Sequence, residues 1–318
     1  MDINCVINIW EYNELHKFYC IIKSIEMNSV IRKKEFIDDI ILLYDNCNSI
    51  IKIDRSKKIK IYSLTKEEFL CEFEEESGNI IKILDFCNSR EFICYTSQGG
   101  IILYNYKINK KDNKLIYEIK KIKDININNT NNKMTCFEML SWKYKLIGIG
   151  YHNNIISIIK FDNNFQNYKN ISINLDSFNN NNYINQIKCL NLASNKVREK
   201  NGIEFLIYII FSINNSFFVY SILSDFVNLK VYFINKIGLK YDINFFGILN
   251  KNLIISSYSS NFKIELIHLP DYEKGVNKDI KKEEIEISEE YFYNLKYTNN
   301  KKGIFCVSNN SIKYIEFS

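Results

Sequence analysis

Proline and glycine are scarce in this chain: one proline, Pro270, and ten glycines among 318 residues. That is few for so many apparent turns, so asparagine, serine and aspartate must do the turn work, since Asn and Asp tolerate left-handed backbone. Histidine is almost as rare. His16, His152 and His268 lie far apart, with no HExxH and no Cys/His cluster, so nothing in the spacing announces a metal. The nine cysteines are odd in number and no pair has CxxC spacing. Most sit in apolar runs such as Phe69-Leu70-Cys71 and Ile304-Phe305-Cys306. They read as reduced core thiols of a cytoplasmic or nuclear protein, not as a disulfide frame or a zinc site.

Other signals are missing too. The first segment carries Asp2 and Glu11 and no apolar h-region, so no signal peptide is expected. No apolar run approaches the roughly 18 residues of a membrane span. The longest, Ile203 to Phe211, is strand length and broken by Glu204. GxSxG, GxGxxG and P-loop patterns are absent, and Gly99-Gly100 reads as a hairpin turn. No cofactor is implied. Asp38-Asp39 points its carboxylates to opposite faces of a strand. The acidic runs Glu72–Glu76 and Glu283–Glu290 read as solvated faces that would suit a basic partner.

The chain does have core material. Hydrophobic residues make up 46% and aromatics 14%, which argues against disorder across the chain. Its Ile, Asn, Lys and Tyr bias matches AT-rich codons, so Asn runs such as Asn179–Asn182 read as loops. The net charge of +5 is mild, and the lysines are scattered. The densest stretch, Lys107–Lys114, reads as a solvated loop, so nucleic acid is not expected as the main ligand.

Helical periodicity is nearly absent. Short β-branched and aromatic runs alternate with Asn/Ser/Asp/Lys turns, the pattern of an all-β protein. The clearest set predicts four strands: Ile80–Phe86, Glu91–Tyr95, Ile101–Tyr104 after the turn Thr96–Gly100, and Leu115–Ile122. A four-stranded meander repeated at about 40 to 50 residues is a propeller blade. The turn-then-strand pattern recurs before Ile59–Tyr62, Ile155–Phe161, Ser216–Tyr220, Phe262–Leu266 and Ser311–Phe317, and Cys5–Trp10 resembles its strand without the turn. Seven third strands end near Trp10, Tyr62, Tyr104, Lys160, Tyr220, Ile267 and Tyr314. Six first strands lie near Ile40, Ile81, Cys136, Lys188, Phe245 and Asn294. The expectation is one domain over residues 1–318, a propeller of four-stranded antiparallel blades, six or seven in number. It is open or completed at the N/C-terminal seam, where two N-terminal and three C-terminal strands remain. An incomplete blade would leave an edge to which a partner adds strands. Lys123–Lys133 and Asn163–Asn182 are expected as loops, and Lys274–Glu290 as a short strand or a piece of helix.

Tyr95–Asn105 resembles the small-residue turn and bulky strand of the WD40 repeat family, with Trp10, Tyr62, Tyr104 and Tyr220 where that family's repeat tryptophan would lie. The family's Gly-His and Trp-Asp pairs are absent. The resemblance implies a non-catalytic protein-interaction scaffold, a subunit of a larger complex. Weaker similarities run to small coat and nuclear-pore propellers and, over Thr135–Phe161, to G-protein-β-like propellers linked to kinase assembly. Two alternatives stay open: a hydrolase similar to the diphthine methyl esterase propellers, and a non-catalytic subunit of an RNA-modifying enzyme. The candidate rim residues are His152, Tyr151, Tyr258 and Trp10, His152 because it sits in a turn before a third strand and rim loops often host function.

Overall fold

The computed structural model describes residues 6–13, 18–26, 39–42, 49–53, 58–63, 68–76, 78–86, 90–111, 114–127, 133–175, 184–190, 205–225, 228–240, 242–249, 253–258, 263–270, 282–286, 292–297, 303–308 and 312–316. They group into two compact units, Met1–Asn131 and Asn132–Ser318. Among the described residues every regular element is a strand.

In the first unit, β1 (Val6–Asn13) and β2 (Phe18–Glu26) form a two-stranded sheet. The next sheet takes β3 (Asp39–Leu42), β4 (Ser49–Ile53), β5 (Lys58–Ser63) and β6 (Glu68–Glu74) in chain order. A further sheet takes β7 (Ile80–Asp85), β8 (Glu91–Thr96), β9 (Gly100–Lys111) and β10 (Lys114–Asn126).

The second unit repeats the meander. One sheet holds β11 (Met134–Ser141), β12 (Leu146–Tyr151), β13 (Ile155–Phe161) and β14 (Tyr168–Asn174). The next holds β15 (Ile184–Leu190), β16 (Phe205–Ile213), β17 (Ser216–Ser224) and β18 (Leu229–Gly238). After it come β19 (Ile243–Leu249), β20 (Leu253–Tyr258), β21 (Lys263–His268) and β22 (Lys282–Glu286). The last sheet has three strands, β23 (Phe292–Tyr297), β24 (Gly303–Ser308) and β25 (Ile312–Glu316). All strand pairs are antiparallel. The predicted first and third strands fall in β3, β7, β11, β15, β19, β23 and in β1, β5, β9, β13, β17, β21, β25. Among the described residues two strands precede the first four-stranded sheet and three follow the last, as the sequence suggested.

Burial explains the residue pattern. Among the described residues second and third strands are largely covered on both faces: β12 is buried throughout and β16 and β17 nearly so. They therefore read as continuous apolar runs. Fourth strands are only half covered, and β14 alternates exposed and partly buried residues over most of its length. Sheets stack through shared cores. Ile59 and Ile61 of β5 meet Ile80, Ile83, Phe92 and Ile102 of the next sheet. Leu146, Ile156 and Ile158 meet Ile187, Phe205, Ile207 and Phe211. Val219 and Ile210 meet Phe246 and Ile267. Each such side chain, fully buried, contributes about 1.5–3 kcal/mol. The first strands β11, β15, β19 and β23 lie side by side in succession. The join is tight at Gly150, where a Cβ would stand 2.6 Å from Cys136 Sγ and 2.9 Å from Ile184 Cγ2.

Register shows the repeat more sharply than composition does. Opposite Trp10, Tyr62, Tyr104 and Tyr220 the fourth strand carries one extra residue: Ile22, Leu70, Ile122 and Ile234 respectively. These are β-bulges, which raise local twist and re-aim side chains. Where the same place is held by Lys160, the β13–β14 pair runs without a shift. The aromatic position taken from the sequence thus coincides with a backbone feature.

Three expectations change. Lys107–Lys114 is a strand hairpin, because β9 runs to Lys111 and β10 starts at Lys114. β10 reaches Asn126, so Lys123–Lys133 is in part strand. Asn163–Asn182 contains β14, whose Ile171 and Ile173 pack on the adjoining core. In each case cross-strand pairing overrode a polar composition. The mixed-charge segment Lys274–Glu290 contains the strand β22. The turn chemistry holds at Asn154 (φ 57°) and Asn214 (φ 47°). The left-handed Lys145, Arg90 and Phe165 were not foreseen.

Candidate interaction surfaces

Three of the four rim residues named from the sequence lie at turns between second and third strands. Tyr151 ends β12 opposite Met134, and its side chain is buried, 1% exposed. It supports the turn from beneath. His152 follows at the surface, where its backbone N–H donates to Lys133 O at 3.0 Å. The same turn is tied on its other side, for Leu175 N–H donates to Asn154 O at 3.1 Å. Equivalent latches join Ser97 N–H to Asn79 O and Ile243 N–H to Asn214 O, both 2.7 Å. Tyr258 ends β20 opposite Ile243, the register place that Tyr151 holds in its own sheet. Trp10 lies in β1 opposite Ile21. The side-chain positions of Tyr258 and Trp10 lie outside the described part of the structure. Among the described residues no three His, Cys, Asp or Glu side chains are grouped to hold a metal ion.

A polar cluster that the acidic-face expectation missed lies in the first unit. Glu72, Glu74 and Glu76 are exposed, but Glu75 is buried, 1% exposed. The Tyr104 hydroxyl donates to Glu75 Oε2, and Lys121 Nζ donates to Glu75 Oε1 at 3.2 Å. Lys121 also meets Asp124 at 3.0 Å. Burial pulls the Lys121 ammonium downward, but bonds to Asp124 and Glu75 outweigh it and hold it above its ordinary value. Burial, then the bond to Glu75, pushes the Tyr104 hydroxyl far up, so it stays protonated and donating. The signal was available. In Cys71–Glu76, period-2 alternation puts Cys71, Phe73 and Glu75 on one face and the exposed glutamates on the other. Burial also pushes the Cys71 thiol up to about 11. Cys71, Cys94 and Cys136 stand in no disulfide.

Basic and aromatic groups meet at a shallow cleft of about 110 Å³, lined by Lys160, Phe161, Asp162, Asn167, Tyr168 and Lys169. Lys160 and Lys169 stand opposite each other across β13 and β14. Lys160 Nζ reaches Ser224 Oγ at 3.3 Å and lies 5.3 Å from the Phe205 ring centre. Asp162 closes the hairpin by accepting from Gln166 N–H and Asn167 N–H at 2.8 and 3.0 Å. Burial raises its carboxyl, yet these bonds prevail and hold it below the usual value.

Large apolar side chains reach solvent at a few places. Trp142 is 54% exposed at the β11–β12 turn, where Lys143 lies over the Tyr144 ring and Lys145 over the Phe165 ring at 3.5 Å. On β18, Tyr232, Phe233 and Ile234 are exposed in succession by 51%, 54% and 39%. The Ile234 bulge breaks the alternation that would otherwise turn one of them inward. None of these residues was singled out by the sequence, because exposure depends on what the fourth strand faces.

No protein-family model matches the sequence, and no curated protein matches it. Solved structures do. A chain of the crystal structure of the mitotic checkpoint complex aligns with 99% of this chain and 83% of its own length, at 8% identity and TM-score 0.65. The β-propeller domain of Cps50 (Swd1) from Myceliophteria thermophila aligns with 98% of this chain and 91% of its own, at 7% identity and TM-score 0.60. At such identity the likeness concerns the fold alone: this chain is an all-β, β-propeller protein of four-stranded antiparallel sheets. Among the described residues no helix is long and apolar enough to cross a membrane.

Proposed function

We propose that the chain is a divergent WD40-type propeller, one domain over residues 1–318, that catalyses no reaction and serves as a protein-interaction scaffold in a larger cytoplasmic or nuclear complex. The observation that carries this is Trp142. A tryptophan left more than half exposed at a turn tip, on a base of buried strands, is the side chain most often found at the centre of a protein contact. Propeller chains similar in fold include one from an assembly crystallised as the mitotic checkpoint complex, which supports the same view. At the other end of β12, the exposed His152 and, at the matching turn of its own sheet, Tyr258 are proposed as a second place of contact, and Trp10 as a separate one in the first unit. The two-stranded β1–β2 sheet and the three-stranded β23–β25 sheet offer places where a partner can add strands.

The test is the size of the tagged protein in a native extract, by gel filtration with mass spectrometry of what co-elutes. Elution in a defined assembly well above 37.8 kDa, lost or loosened in Trp142→Ala, is the expected result. Elution as a free monomer would remove the scaffold reading and turn attention to hydrolase assays.

A further inference from the structure

Sheet β15–β18 differs from the other six in its charge. Its strands hold Lys188, Lys230 and Lys236 and no carboxylate, while every other sheet has at least one Asp or Glu in its strands. Its last strand, β18, pairs with β17 on one side and ends the sheet on the other. There Tyr232, Phe233 and Ile234 stand exposed in succession, with exposed Lys230 on one flank and exposed Lys236 on the other. These apolar groups are braced from the core. Phe218 stacks on Phe211 at 5.4 Å, Phe211 on Tyr220 at 5.5 Å, and Tyr220 meets Phe233 edge-on at 5.3 Å. Phe211 and Phe218 are buried, so the outer rings sit on a fixed ladder. A rigid aromatic costs little entropy when it binds.

From this geometry we infer that β18 is a docking strand for an extended segment of another protein, one with an apolar centre and acidic residues on both flanks. The apolar centre lies on Tyr232, Phe233 and Ile234. The flanking carboxylates meet Lys230 and Lys236, six residues apart and so about 20 Å apart along the strand. The segment can also bond the outer main-chain groups of β18 in the manner of strand addition. That last point favours a peptide over a bilayer, because hydrocarbon satisfies no backbone N–H or C=O. The strands of the sheet hold no carboxylate, and Asp225 in the β17–β18 turn accepts from Asn228 N–H, so the charge along β18 itself favours an acidic ligand over a basic one.

The inference rests on the scaffold reading and names the chemistry of one partner. Its test uses the full chain and fluorescein-labelled peptides of about twelve residues. One has a Phe-Leu-Ile centre between glutamate pairs, one has lysine pairs in their place, and one has a serine centre. By anisotropy the acidic apolar peptide binds about tenfold or more tighter than either control. Phe233→Ser with Ile234→Ser weakens it by a similar factor, Lys230→Glu weakens it further at low salt, and added salt narrows the gap. Circular dichroism shows both variants folded, since the altered side chains are exposed. Equal binding by wild type and variants overturns the inference, as does binding of none of the peptides. Tighter binding to anionic phospholipid vesicles than to the peptide, lost in the same variant, would make β18 a membrane strand and overturn it too. Concentration-dependent dimerisation abolished by Phe233→Ser would do so in favour of a second copy. In native extract, an assembly that survives the double serine variant removes the β18 assignment and keeps the scaffold; a chain that elutes alone removes the scaffold.

Discussion

Sheets β7–β10 and β15–β18 carry the same repeat and finish it in opposite ways. Each has a tyrosine on its third strand, Tyr104 or Tyr220, opposite a bulge whose extra residue is isoleucine. The residue paired with Tyr104 is Lys121; the residue paired with Tyr220 is Phe233. Lys121 reaches in to Glu75, which also accepts from the Tyr104 hydroxyl, and Tyr104 is wholly buried. Phe233 meets the Tyr220 ring and stays more than half exposed. The backbone geometry is therefore shared, and one fourth-strand side chain decides whether the outer rim is locked by polar bonds or left apolar and open. A buried polar cluster fixes a unique arrangement only while every member is satisfied. An exposed apolar row adds little to folding and is available for contact.

The largest difference should appear on deleting the group that closes each rim. Glu75→Ala strips the Tyr104 hydroxyl of its acceptor in a site closed to solvent, and should cost about 2–3 kcal/mol. Phe233→Ser removes a ring already exposed and should change stability by less than about 0.5 kcal/mol. Urea unfolding followed by circular dichroism gives both. Similar losses in the two variants would show that the exposed row is structural and that the contrast is false.

Finer trimming separates hydroxyl from ring. Tyr104→Phe keeps the stacked contact with Phe92 at 5.1 Å and removes one hydrogen bond to the buried carboxylate, for about 1–2 kcal/mol. Tyr220→Phe keeps the contacts with Phe211 and Phe233, and on a half-buried ring should be nearly neutral, within about 0.5 kcal/mol. A costly Tyr220→Phe would mean that its hydroxyl has a structural partner of its own, and that both sheets are locked.

The sequence displays this scheme down to the strand and no further. Short apolar runs and Asn-rich turns located the first and third strands, since third strands such as β13 and β17 are covered on both faces and must be apolar, while β7 and β11 are covered in part. The aromatic positions Trp10, Tyr62, Tyr104 and Tyr220 were legible for the same reason, although their link to a bulge was not, since register is a property of two strands at once. Glu75 was legible in principle from the phase of Cys71 and Phe73, and was hidden by its glutamate neighbours. β14 was obscured by asparagines on its solvent face. Trp142 and Tyr232–Ile234 could not be told from core residues, as an apolar side chain reads alike on either side of a sheet. His152 was read as a turn residue and is one, at the surface, while its neighbour Tyr151 is interior.

The smallest effect is a matter of pH. Lys121 is held above its ordinary value of 10.5 because bonds to Asp124 and Glu75 outweigh the burial that opposes them. A group whose folded value is raised adds stability that is fully present below the unfolded value and is lost as pH rises through the folded one. The difference in stability between wild type and Lys121→Met should hence stay level from about pH 7 to 10 and shrink above about 10.5. Lys121 is a third exposed, so solvent screens part of the interaction and the limb will be shallow. Phe233→Ser removes no ion pair, and any limb it shows above about pH 10 belongs to the Tyr220 hydroxyl beside it, which burial holds above its ordinary value. If the Lys121→Met difference is flat, the ammonium is not what compensates the buried Glu75 carboxylate. The lock would then reduce to the hydroxyl of Tyr104, and the two sheets would differ by one hydrogen bond and not by a charge.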